Sequence, residues 1–87
     1  MLIMSKHGDL TELRLRLDEA ITYGTHREAV KLAKEGLRQA GERDLKGEIE
    51  YFKGQTELLN KNFTTAIEHF DAAIKVKRNI WAKMAGL

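Results

Sequence analysis

Small and apolar residues recur along this chain at steps of three and four, the spacing that stacks side chains on one face of an α-helix. Asp9 followed by Glu12 has the spacing of a capping box, so a first helix is expected from near Leu10 to about Tyr23. Gly24 is read as its left-handed exit, and Thr25 with Glu28 repeats the capping box for a second helix. Along that helix Ala29, Ala33, Gly36, Leu37 and Ala40 form one narrow face of mostly small side chains, which permits close helix approach. Gly41 is expected to end it and Asp44 to cap a third helix carrying Ile49, Tyr51, Phe52, Leu58 and Leu59. The apolar residues of this third helix cover more than one face, and Asn60-Lys61-Asn62 breaks it. A fourth helix begins at about Phe63, with Ala66, Phe70, Ala73 and Lys77 on a stripe expected to face the third and with Ile67 and Ile74 beside it. The remaining residues 79–87, including Ile80, Trp81 and Met84, read as a short fifth helix covering the end of the stack or as the start of another repeat. The fold class is all-α.

Two of these helices open on matching segments. Thr25-His26-Arg27-Glu28-Ala29-Val30 and Asn62-Phe63-Thr64-Thr65-Ala66-Ile67 lie 37 residues apart, a spacing that marks a helical repeat. The first unit covers about residues 10–43 and the second about 47–80, within a single domain of residues 1–87. A two-helix unit cannot bury its apolar face alone, and independent stability usually takes at least three units. A C-terminal segment, a second copy of the chain or a helical partner is therefore expected to complete the stack.

Composition narrows the function classes. The 87 residues are 43% hydrophobic and 32% charged, without proline, which disfavours disorder and favours helices. With no cysteine there is no disulfide framework and no thiolate chemistry, and a reducing, cytoplasmic location is expected. The opening Met1-Leu2-Ile3-Met4 is shorter than the apolar region of a signal peptide, and no apolar stretch approaches the ~18 residues of a membrane span. The net charge of +2 is unevenly spread, because Lys75, Lys77, Arg78 and Lys83 cluster without an acid between residues 75 and 83. Cations near a helix C-terminus explain the cluster simply. A nucleic-acid footprint would require a wider basic face with aromatic residues interleaved.

No catalytic, cofactor-binding or metal-ligating set is assigned. His7, His26 and His69 have the acids Asp9, Glu28, Glu68 and Asp71 nearby but form no local metal signature, and Asp71, a sequence neighbour of His69 on a helix, points to another side of it. Asp18/Glu19 and Glu48/Glu50 have the wrong spacing for joint acid–base work, and the glycines are dispersed instead of forming a phosphate loop.

Gly54, Phe63, Ala66, Phe70 and Ala73 resemble the small-residue and Ala/aromatic/Ala pattern of a tetratricopeptide repeat. In the first unit Ala29 and Gly36 take the Ala positions, Ala33 replaces the aromatic and Leu17 replaces the glycine, a swap that would conserve core volume. The offset of 37 exceeds the family's repeat of about 34 residues, placing extra residues near 41–47, and the closing proline is missing from both units. The resemblance implies two antiparallel hairpins in a superhelix, with a concave groove lined by Arg14, Leu15, Asp18, Ile21 and Thr22 and by Tyr51, Phe52, Gln55, Leu58 and Leu59. It also implies a protein-interaction function: an adaptor, a chaperone or a self-associating scaffold taking a helical or extended segment. The family's clamp for a C-terminal carboxylate is not matched, since Arg14, Asp18, Phe52 and Gln55 stand at its polar positions and Asp18 would repel an anion. Ile80, Trp81 and Met84 are the expected end-face or oligomer contacts. The alternative function is a nucleic-acid-binding or regulatory helical domain using Lys75, Lys77, Arg78 and Lys83.

Overall fold

A computed structural model of the chain describes residues 10–84 and 86; the side chains of Ile80, Trp81 and Met84 lie outside that description. Four helices follow one another with short turns: α1 (Thr11–Tyr23), α2 (His26–Glu42), α3 (Lys46–Leu59) and α4 (Phe63–Met84). Successive helices pack on each other, most extensively α3 on α4. No strand occurs among the described residues.

The turns differ from the sequence expectation in instructive ways. Asp9 lies outside the described residues, and α1 starts from Leu10 without a side-chain cap. Gly24 is extended (φ −100°, ψ −155°), not left-handed. Its requirement is spatial: a Cβ there would lie 2.7 Å from Glu28 Oε1 and 3.0 Å from Ala20 Cα. The Thr25 hydroxyl does cap α2, accepting from the Glu28 backbone N–H at 3.1 Å.

Gly41 does not end α2, which continues to Glu42. The left-handed residue is Asp44 (φ 53°), and it does not cap α3; the N-cap position belongs to Leu45, which has no side-chain cap. The Leu45 N–H donates to Ala40 O at 3.0 Å and the Asp44 N–H to Gly41 O at 3.2 Å, the paired bonds of a Schellman ending. The turn after α3 repeats it, with Lys61 left-handed (φ 66°) and bonds from the Asn62 N–H to Glu57 O and from the Lys61 N–H to Leu58 O. Neither ending uses glycine.

The expected fifth helix is absent among the described residues. No glycine or proline interrupts the segment from Phe63 to Met84, so α4 runs through it as one 22-residue helix.

The core gathers Leu10 just before α1, Leu17 and Ala20 from α1, Ala29, Ala33 and Ala40 from α2, and Phe52 from α3. Small residues on α2 meet a large one on α3. The Phe52 ring lies over Gly36, where a Cβ would come within 2.3–2.6 Å of ring carbons, and Phe52 is fully buried. One hairpin later Phe70 covers Gly54 in the same way, at 2.7–3.0 Å. Leu17 and Ala33, which precede Gly54 and Phe70 by 37 residues, are both fully buried, with the large residue now on the first helix of the pair.

Candidate functional site

The α1/α3 surface carries the residues expected to line a groove, and the two helices are joined through Arg14. Its guanidinium carbon sits 4.2 Å from the Tyr51 ring centroid, and its Nη1 is 3.4 Å from Glu48 Oε2. The Gln55 amide donates to the Tyr51 hydroxyl at 2.8 Å, and the Tyr51 ring stands edge-on to Phe52 at 5.1 Å. Tyr51 is thereby fixed from three sides. Glu48 Oε1 and Gln55 Oε1 are buried and receive no hydrogen bond from any described residue. Burying such acceptors disfavours the fold unless they are balanced, so the charge of Arg14 beside Glu48 matters locally.

Around this polar centre the surface is apolar in patches. Leu15 is 59% exposed, Ile21 41% and Leu58 37%, while Asp18 and Thr22 are exposed and Tyr51 and Leu59 half-buried. Two expected groove residues are not available. Phe52 is fully buried against Gly36, and Gln55 is buried at 7% exposure with its amide engaged by Tyr51. Both point inward because α3 packs on α2 and α4 and touches α1, so more of its circumference is covered than a two-sided helix would show.

The basic cluster stands in solvent. Lys75, Lys77, Arg78 and Lys83 are all exposed on the C-terminal half of α4. At 100° per residue they spread around most of the helix instead of forming one face. Ile80, Trp81 and Met84, the expected end-face contacts, lie outside the described side chains.

A pairing that local sequence spacing did not reveal joins α3 to α4: His69 Nδ1 lies 2.8 Å from Glu50 Oε1. On α2, Arg38 bonds both Glu35 and Glu42, and the Arg38 guanidinium with the Gln39 amide lowers the Glu35 carboxyl from 4.5 to about 2. Neither pair adjoins a third ligand; among the described residues no group of three His, Cys, Asp or Glu could hold a metal ion. A shallow mixed-charge depression beside Arg16, Glu19, Tyr23 and Glu28 lies at the α1–α2 turn and includes none of the α3 groove residues. Among the described residues no helix is long and apolar enough to cross a membrane. No family model, curated protein or solved structure matches the chain.

Proposed function

We propose that the chain is a non-catalytic protein-interaction module of tetratricopeptide-like architecture. The α1/α3 surface holds a helical or extended segment of a partner, as an adaptor or chaperone would. The observation that carries the reading is the exposure of Leu15, Ile21 and Leu58 on the two helices that Arg14 joins at a Tyr51 ring held by Arg14 and Gln55. A rigid aromatic ring together with exposed aliphatic side chains suits an amphipathic segment, which brings apolar anchors every three or four residues and donors between them. The exposed Asp18 on the same surface favours a partner with basic or amide-rich flanks.

Selection of displayed helical peptides against the chain, with depletion on an Ile21→Glu/Leu58→Glu variant, tests this. The expected result is a set of peptides bound by the parent and lost by the variant, with affinity changing little with salt. Peptides that bind both proteins equally would refute the groove. Binding to a generic DNA duplex that falls steeply with salt and disappears in Lys75→Glu/Lys77→Glu would transfer the function to the basic cluster.

A further inference from the structure

The 37-residue correspondence exposes an imbalance between the two ends of the stack. Val30, Ala33 and Leu37 on α2 are buried or half-buried, and Leu37 and Ala33 pack with the core that contains Phe52 of α3. Their counterparts on α4 are Ile67, Phe70 and Ile74. Ile67 is 60% exposed and Ile74 52%, and Phe63, one turn before Ile67 on the same stripe, is 57% exposed. Thus α4 leaves exposed the apolar side chains of Ile67 and Ile74, whose α2 counterparts are half-buried, and no described helix covers them or Phe63.

The opposite end of the stack is built differently. The exposed side of α1 sets Leu15, Ile21 and Tyr23 among Glu12, Asp18, Glu19 and Thr22. A head-to-tail contact would therefore set the aliphatic α4 stripe against carboxylates. Joining two α4 stripes sets apolar surface against apolar surface, and a two-fold contact of this kind closes. Charge selects the direction. On the flank of α4 beside Ile67 and Ile74, Glu68 and Asp71 come first and Lys75 and Arg78 follow. Parallel helices would place like charges together, whereas antiparallel helices place each acidic half beside a basic half.

We infer that the Phe63/Ile67/Ile74 face of α4 is the seat of a second copy of this chain, docked as an antiparallel α4 pair about a two-fold axis. With the two helices fully overlapped, the axis passes near residues 73 and 74. Ile74 then meets Ile74 of the second copy, and Asp71 lies within about one turn of its Arg78. Ile67 lies roughly 20 Å from its own counterpart, from 13 residues of helical rise. This surface is separate from the α1/α3 groove.

The test is light scattering of the full chain over about two decades of micromolar concentration, with circular dichroism to verify folding. The expected mass is twice 9.9 kDa. It should fall to one chain in Ile67→Glu, whose exposed position lets helicity persist, and remain double in Leu58→Glu. Under oxidation, Ile74→Cys should form a covalent dimer in high yield and Ile67→Cys should not, the parent having no cysteine. A parent that stays at one chain mass throughout would overturn the inference. So would a dimer that survives a folded Ile67→Glu/Ile74→Glu variant, or one that crosslinks as readily through residue 67 as through residue 74.

Discussion

Replacing Gly36 by Ala adds a single methyl group where the Phe52 ring already sits. The new Cβ would lie 2.3, 2.4 and 2.6 Å from three ring carbons, over 1 Å inside the ~3.5–4.0 Å optimum for carbon contacts. The ring cannot move outward into solvent, because Phe52 has no exposed surface and is wedged between helices. Overpacking of this kind costs about 1–3 kcal/mol, and the better helix propensity of alanine returns about 0.5–1 kcal/mol. The net loss is about 1–2 kcal/mol, which lowers the Tm by roughly 5–15 °C in a domain of this size. Gly41, in the same helix, has nothing within 4 Å of its would-be Cβ, so Gly41→Ala should stabilise by up to ~1 kcal/mol. Urea unfolding followed by far-UV circular dichroism measures both signs. Combining Gly36→Ala with Phe52→Leu should be milder than the sum of the single changes by about 1 kcal/mol, since the smaller side chain vacates the site. A Gly36→Ala protein as stable as the parent, or strictly additive losses, would refute the packing account.

Two further outcomes follow from local chemistry. Asp44→Gly and Lys61→Gly should each raise stability by about 0.5–1 kcal/mol, because the left-handed conformation burdens an L-residue by ~1–2 kcal/mol and glycine's larger unfolded-state entropy offsets part of the relief; a loss in either variant counts against those turn geometries. Glu35, lowered to about 2 by Arg38 and Gln39, has a folded value below its ordinary 4.5, so its contribution is complete above about pH 4.5 and disappears as pH falls through 2. An NMR titration of its side-chain carboxyl carbon should have its midpoint near 2 in the parent and shifted up toward the ordinary 4.5 in Arg38→Ala, and equal midpoints would exclude the pairing.

The helical hairpins were legible in the sequence because capping and periodicity are local properties. Thr25 followed by Glu28 marked the start of α2, and the small face of Ala29, Ala33, Gly36 and Ala40 marked what α2 would bury. The errors arose where a neighbouring element decides. Phe52 and Tyr51 are adjacent, and only the position of α2 sends the first into the core and leaves the second half-exposed. A stripe of small residues around Gly36 needed a large counterpart to fill its volume, which was the available signal for Phe52. Asp44 shows another ambiguity: aspartate suits an N-cap and also tolerates a left-handed turn, and its sequence context does not separate the two. The length of α4 was readable, since nothing in its sequence stops it before Met84.

Packing between consecutive helices also sets how the molecule acquires its structure. Because each helix meets chiefly its neighbours along the chain, few long loops must close before burial begins, and folding belongs to the fast, microsecond-to-millisecond class. The most extensive packing is between α3 and α4 and the least between α1 and α2, so the ordering of contacts favours a nucleus around Phe70 and Gly54 that grows toward the N-terminus. Helix α1 then docks last and opens first. The α1/α3 surface proposed to bind a partner would thus open more readily than the rest of the protein.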